Sequence, residues 1–265
     1  MKQSIKLPNG LEGELFLPET HQTKTAVIIL HERYGLVQHT LDLAQKLAND
    51  GYVAFAPNLF SQWHGDQAEL KAGRARVVQP DAECTRVVGL AIDLLRADGR
   101  SVAEKIILMG VCQSGRYPIV VAAERDEISA CVVFYGASQQ RDWNVGELQP
   151  IAMSDMIAKL TVPMLLVFGE SDHTISLDNV RRMRDTLETH RKSYRMHVLA
   201  DAPHGFMNDT MPGRYRPRET EVAWNMLLTF IREVSDGEWP NNRVQWEFHC
   251  DSGRNYDFSK NVRLE

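Results

Sequence analysis

Residues 105–117 read KIILMGVCQSGRY, and how this stretch folds decides what the rest of the chain can be. Ile106, Ile107, Leu108 and Met109 form a short apolar run of the kind that makes a strand buried on both faces. Gly110, Val111, Cys112, Gln113, Ser114 and Gly115 then turn out of it, ahead of a helix-compatible run at 119–123. A tight strand-to-helix elbow needs a small residue two places before and two places after its tip, because larger side chains there collide. Gly110 and Ser114 hold those places, and Cys112 is the tip. Three readings compete. Cys112 is a nucleophile; or Ser114 is, although its own flankers would be Cys112 and the bulky Arg116; or Cys112 is an inert buried thiol, the common state of a lone intracellular cysteine.

The 265 residues, 43% of them hydrophobic, suffice for one large single-core domain. A net charge of −5, a pI near 6.0 and dispersed basic residues argue against nucleic acid or an anionic membrane surface as partner. No apolar run approaches the roughly 20 residues of a membrane span. The first residues, MKQSIKLPNG, lack the apolar core of a signal peptide. Cys84, Cys112, Cys131 and Cys250 show no CxxC spacing, which fits free thiols in a reducing compartment and predicts a cytoplasmic protein.

Outward from the elbow, strand-like and helix-like segments alternate. Residues 11–17 read as an edge strand or hairpin arm, and 25–30 as a strand running into His31-Glu32-Arg33-Tyr34-Gly35. Residues 41–48 have helical spacing, with Gly51 placed to stop the helix, and 52–56 form a strand closed by Pro57. The polar segment 58–79 reads as a long loop over a functional face. Cys84, Val87, Val88, Ala91, Leu94 and Leu95 mark a helix over 81–97. Beyond the elbow come a strand at 130–135, a mixed insertion at 138–159 and a strand at 163–168 ending Gly169-Glu170-Ser171-Asp172. A helix at 176–190, a strand at 194–199 leading to Ala202-Pro203-His204-Gly205-Phe206, and a helix at 218–234 complete the body. This alternation predicts an α/β fold with a mostly parallel, doubly wound sheet flanked by helices. In such sheets functional groups gather at the carboxyl ends of strands, where Glu32, Cys112, Asp172 and His204 all fall.

The order Cys112, Asp172, His204 repeats the nucleophile–acid–base order of α/β-hydrolases. A free thiol with a pKa of about 8.5 is only slightly ionised at neutral pH, so it needs a base or a positive field. His204 can take its proton, and Asp172 can fix the imidazole tautomer and steady its charge. Backbone N–H groups of Gln113 and Arg33 are the candidate oxyanion donors. Each residue has a plainer reading. Asp172 can simply cap the following helix, Glu170 is a rival acid, and a histidine is often a satisfied core residue. His204 stands out because a strand delivers it and Gly205 leaves room beside it. Cys84 and Cys131 read as packing. His31-Glu32 does not continue as HExxH, since position 35 is glycine, so no metal is expected, and no cofactor is called for.

Taken in order, His31-Glu32-Arg33-Tyr34-Gly35-Leu36, Gly110-Val111-Cys112-Gln113-Ser114-Gly115, Gly169-Glu170-Ser171-Asp172-His173 and Ala202-Pro203-His204-Gly205-Phe206-Met207 resemble the dienelactone hydrolase family of α/β-hydrolases, as does Glu221-Val222-Ala223-Trp224. The resemblance covers about residues 11–234. It implies a Cys112–His204–Asp172 triad that opens a lactone or ester through an acyl-thioester. It also implies a regulatory Glu32, paired with a neutral thiol at rest and displaced by substrate, which protects the sulfur from oxidation. The family prefers glycine where Ser114 stands, and Pro118 predicts a kink or a helix beginning near Arg116. Members acting on dienelactone anchor its carboxylate with an arginine four residues past the histidine, where this chain has Asn208. Arg74, Arg76, Arg116 and Arg214 are the candidate replacements, and Tyr34, Trp143 and Phe206 are further candidate substrate contacts.

The organisation expected is a hydrolase body over 1–235 and an extension over 236–265. In the extension, Val244, Trp246, Phe248 and Cys250 alternate like a half-buried strand, and Asp251-Ser252-Gly253 can turn it back toward Tyr256 and Phe258. That hairpin must cover its aromatic face on its own body or on a second subunit, and a homodimer contact is the favoured expectation. The leading function is hydrolysis of a small lactone or activated ester. An acyl transferase or peptidase-like enzyme using the same thiol, and a non-catalytic or redox-sensing relative, are the rivals.

Overall fold

The computed structural model describes residues 1–20, 24–97, 103–240 and 245–249. Among these, the strands are β1 (Lys2–Lys6), β2 (Glu12–Phe16), β3 (Thr25–Leu30), β4 (Val53–Pro57), β5 (Lys105–Val111), β6 (Ile128–Phe134), β7 (Met164–Gly169), β8 (Tyr194–Leu199) and β9 (Gln245–His249). They form one sheet in the order β1-β2-β4-β3-β5-β6-β7-β8-β9. Only the β1–β2 and β2–β4 pairings are antiparallel; from β4 to β9 every neighbour is parallel. The helices are α1 (Gln38–Asn49), α2 (Gln67–Lys71), α3 (Asp81–Ala97), α4 (Tyr117–Ala122), α5 (Met153–Lys159), α6 (Leu177–Thr189) and α7 (Pro217–Ser235).

The apolar runs of the inner strands are continuous because each strand feeds two cores. Val27, Ile29, Ile107 and Met109 pack under Leu43 and Leu47 of α1 and Trp224 and Leu227 of α7. Their neighbours Ile28, Ile106 and Leu108 face the other way, against Val88 of α3, Ile119 of α4, Met156 of α5 and Met183 of α6. The result is the doubly wound sheet expected from the alternation of elements.

Where structure and expectation differ, the cause is a weak apolar signal. β1 alternates polar residues and buries only Ile5. In the segment read as loop, α2 is five residues long and buries only Leu70. In the insertion, α5 has seven residues and buries Met153, Met156 and Ile157, too short a stretch for a helical period to show. The first arm of the tail is present as β9, which joins the sheet parallel to β8, pairing Arg195 with Gln245 through Leu199 with His249. The expected returning arm, through Tyr256 and Phe258, falls outside the described residues.

The elbow follows β5 directly. A 3-10 turn, Cys112–Arg116, leads into α4, and Pro118 lies in the first turn of α4, where a backbone N–H has no helical partner to lose. Cys112 has a φ of 56°, the left-handed region that side chains other than glycine seldom occupy. Two backbone approaches hold it there. A Cβ on Gly110 would lie 2.4 Å from the carbonyl oxygen of Ser114, and one on Gly115 would lie 2.6 Å from Cα of Gly136. Ser114 is buried, and its hydroxyl accepts from the N–H of Val111 at 3.0 Å and donates to the carbonyl of Leu30 at 2.7 Å. It ties the elbow to the end of β3 and does not line the cavity over Cys112, so the structure gives Ser114 a bracing place. Ser114→Ala leaves one buried N–H and one carbonyl short of a partner and is expected to destabilise the chain by about 1–3 kcal/mol. Thermal unfolding checks this, with Tm falling by roughly 2–10 °C.

Candidate active site

Three strand ends converge on the elbow. Sγ of Cys112, at the end of β5, lies 3.0 Å from Nε2 of His204, in the loop after β8. Nδ1 of the same imidazole donates to Oδ2 of Asp172, in the loop after β7, at 2.8 Å. All three side chains are buried, with Cys112 9% exposed, enough to face a cavity. Asp172 also meets its plainer reading, since its Oδ1 accepts from the N–H groups of Thr174 at 2.7 Å and Ile175 at 2.9 Å. These bonds lock the carboxylate for the imidazole, while the cap of α6 is Ser176. The rival acid Glu170 instead accepts from the N–H of Asp201 at 3.5 Å.

Burial by itself would lower the pKa of His204. Hydrogen bonds to Asp172 and Cys112, with the charges of both, outweigh it and push the imidazole up to about 10. A buried phenol closes the site from below. Tyr135, one residue past β6 with a φ of 38°, packs edge-on against His204 at 5.4 Å and against Phe206 at 5.2 Å. Its pKa is raised first by burial and then by the negative charges of Glu32, Cys112 and Asp172, so it stays protonated. Tyr135 was not singled out in the sequence, although the strand-end rule that selects Cys112 applies to it too.

Glu32 is buried at the end of β3. The resemblance implies a resting thiol paired with this carboxylate; here the sulfur is on His204, and Oε2 of Glu32 accepts from Nδ2 of Asn208 at 2.9 Å. Asn208 aims its NH2 at Glu32 because its own oxygen is taken by the N–H of Thr210 at 3.1 Å and the hydroxyl of Thr210 at 2.6 Å. His31 serves the backbone. Its Nδ1 donates to the carbonyl of Glu32 at 2.8 Å, its Nε2 accepts from Leu59, and burial lowers its pKa to about 4, so it stays neutral.

A cavity of about 150 Å³ opens over Cys112 and His204, lined by Glu32, Arg33, Tyr34, Gln113 and Arg76 among others. Four expected contacts lie elsewhere. Arg74 is exposed and bound twice to Glu69, at 2.8 and 2.6 Å. Arg116 is buried in a two-pronged pair with Asp81, at 2.9 and 2.5 Å, and bonds the carbonyl of Asp142. Breaking such a pair typically costs about 3–5 kcal/mol, so this guanidinium clamps loops together and is not available to a ligand. Trp143 is covered by the guanidinium of Arg182 at 4.2 Å, and Phe206 is fully buried behind Tyr135. In their place the structure adds Gln139, Arg141, His173, Met211 and Arg214 to the lining; of these only Arg214 was weighed from sequence.

A mostly parallel, doubly wound sheet with a cysteine elbow, an imidazole and a carboxylate at its strand ends defines an α/β-hydrolase. Likeness to solved structures agrees in fold. A dienelactone hydrolase from Klebsiella pneumoniae superposes with a TM-score of 0.75 at 22% identity, covering 88% of this chain and 98% of that one. A dienelactone hydrolase-like promiscuous phosphotriesterase from metagenomic libraries gives 0.69 at 19%, covering 88% and 98%. The profile of the dienelactone hydrolase family matches residues 11–235, and the chain belongs to that family. Among its relatives, a protein of Escherichia coli K12 named as a carboxymethylenebutenolidase is 27% identical over 213 residues, 78% of this chain and 76% of that one. A protein of a Bradyrhizobium species named as a 2-oxo-3-(5-oxofuran-2-ylidene)propanoate lactonase is 26% identical over 213 residues, covering 78% and 83%.

The raised pKa of His204 links protonation to folding. The group contributes stability that is complete below its unfolded value of about 6.5 and is lost as the pH rises through about 10. The stability gap between the wild type and Asp172→Asn is therefore expected to be widest near pH 6 and to shrink toward pH 10, as urea unfolding at a series of pH values would measure.

Proposed function

We propose that the chain opens small lactones or cleaves activated carboxylic esters, with Cys112 as nucleophile, His204 as general base and acid, and Asp172 as the group that orients the imidazole. The carrying observation is the unbroken line from sulfur to imidazole to carboxylate, at 3.0 and 2.8 Å. Family membership and the names of its relatives support the lactone class. No helix among the described residues is long and apolar enough to cross a membrane. Cys84, Cys112 and Cys131 are free thiols, and we assign the activity to the cytoplasm, where they stay reduced.

In this reading the proton shared by sulfur and imidazole lies on His204, which is held protonated up to about pH 10, and the sulfur attacks the acyl carbon. The oxygen that gains negative charge accepts from the backbone N–H groups of Gln113 and Arg33, and each such donor is worth about 3–4 kcal/mol in the transition state. As the C–O bond breaks, Nε2 of His204 returns its proton to the departing oxygen, which in a lactone stays on the same molecule. Water then attacks the acyl-thioester, giving a proton to His204, and the carboxylate leaves as the sulfur is released. Glu32 is read as a regulatory carboxylate outside the triad, one oxygen of which Asn208 holds.

Hydrolysis of p-nitrophenyl acetate and a lactone panel tests the proposal. Cys112→Ala and His204→Ala are each expected to lower kcat/KM by about 10³-fold or more, and Asp172→Asn by a similar order. Intact-mass measurement should find an acyl adduct in the wild type that is missing in Cys112→Ala. Unchanged rates in both Cys112→Ala and His204→Ala would remove the proposal. An adduct that partitions mainly to added amines over water would move it to acyl transfer.

A further inference from the structure

We infer that residues 73–79 form a strap that sets the spacing of the two oxyanion donors, fastened at one end by the side chain of Arg33 and at the other by that of Gln113. The inference rests on the hydrolase reading above and adds to it two positioning residues, whose side chains act through the strap and not on the substrate.

The two donors belong to different strands. β3 and β5 run side by side as far as the paired Leu30 and Gly110, and Arg33 and Gln113 each stand three residues beyond that pair. An oxyanion hole needs both N–H groups about 2.7–3.1 Å from one oxygen. The ladder has ended by then, so another contact must fix their separation. The elbow side also follows a strained residue, because the peptide that carries the N–H of Gln113 is the one that leaves Cys112 at its φ of 56°. Such a residue keeps its conformation only where the surroundings over-determine it.

Both donor residues reach for the same piece of chain. The guanidinium of Arg33 donates to the carbonyl of Gly73, and the side-chain amide of Gln113 donates to the carbonyl of Val77 at 2.5 Å. Those carbonyls are four residues apart, a stretch that extended chain spans in at most about 14 Å. The strap has neither helix nor strand, and its exposed positions, 74, 76 and 78, alternate with covered ones. Ala75 and Val77 pack on the core beneath, while Arg76, between the two fastened carbonyls, lines the cavity. The near end is seated on Tyr34: Gly73 has a φ of 74°, and a Cβ there would lie 2.8 Å from the Tyr34 ring. The far end is tied to the elbow once more, where the hydroxyl of Tyr117 donates to the carbonyl of Gln79 at 2.7 Å. A circuit results, from the end of β3 through the strap to the elbow, and back through the Ser114 hydroxyl to the carbonyl of Leu30. One such bond would only satisfy a buried amide. Two, from the two donor residues to one short segment, tie the halves of the hole together.

Ester acylation and thiol alkylation separate this role from a general loss of structure. Acylation by 4-nitrophenyl acetate puts negative charge on the carbonyl oxygen. Alkylation of Cys112 by iodoacetamide forms a C–S bond and expels iodide, and no oxyanion arises. Gln113→Met and Arg33→Met keep the backbone N–H and remove the side-chain donor, and thermal unfolding run alongside checks that the variants fold. Each is expected to lower kcat/KM for the ester by about tenfold or more, a part of the roughly 10²–10³-fold that one donor is worth. Alkylation of Cys112, followed by peptide mass, should stay within about twofold of the wild type, since it draws on no such donor. Arg33→Lys, which keeps a donor on a long stem, should recover most of the rate. The strap works only while both ends are fastened, so the double variant should lose scarcely more than either single one. Val78→Ala, exposed on the same strap, leaves both rates as they were. Where Met at 113 disturbs the turn, Gln113→Leu repeats the test. Unchanged ester rates in both donor-less variants, equal losses in acylation and alkylation, or losses that multiply in the double variant would each overturn the inference, with wild-type turnover leaving the hydrolase reading in place. A wild-type chain that alkylates at Cys112 but turns over no ester or lactone would remove the hydrolase reading on which the strap's role rests.

Discussion

Everything in the cleft depends on backbone meeting backbone without side chains between. Gly115 lies against Gly136 and Gly110 against the carbonyl of Ser114, at separations that a single added methyl would violate. Under that constraint the chain can leave β5 and turn at once into a 3-10 helix, with Cys112 at a φ of 56°. Strain of that kind, of order 1–3 kcal/mol, persists only where the surroundings over-determine it. Here they do, through the Ser114 hydroxyl bound to Leu30 and Val111, and through the two cores that fix β3, β5 and β6 side by side. The same close approach presents the sulfur to His204 and leaves the N–H of Gln113 at the start of the turn.

The charges around this point divide between those that hold loops and those that face the cleft. Arg116 and Asp81 form a buried pair that draws the elbow, the start of α3 and the loop at Asp142 together. Asn208 performs a similar task without charge, its oxygen on Thr210 and its nitrogen on Glu32. A neutral amide in this place keeps the loop after His204 in register with the end of β3. The electrostatics of the site thus follow from which cations the fold has used for architecture.

Much of the fold is legible along the chain, for reasons of pattern. The inner strands are short unbroken apolar runs because both their faces are covered, and α3, α6 and α7 repeat apolar residues at helical spacing over at least 13 residues. The rule that parallel sheets carry their reactive groups at strand ends selects Glu32, Cys112, Asp172 and His204 without coordinates. Where burial is slight or the element short, as in β1, α2 and α5, the pattern is too weak to read. Tyr135 escaped notice because an apolar strand ending in an aromatic residue looks like core, and it is core; only its ring contact with His204 gives it a second aspect.

The linear sequence by itself determined the layered sheet, the elbow and the order of sulfur, acid and base, because each is written in local spacing: apolar period, small flanking residues, strand followed by reactive side chain. Which arginine faces the cavity and which is spent on Asp81 or Glu69 was decided only by the tertiary structure. Arginines at 74, 76, 116, 141 and 214 are alike as letters. They differ in the carboxylates that long-range folding brings beside them, and a long flexible cation takes its meaning from its partner.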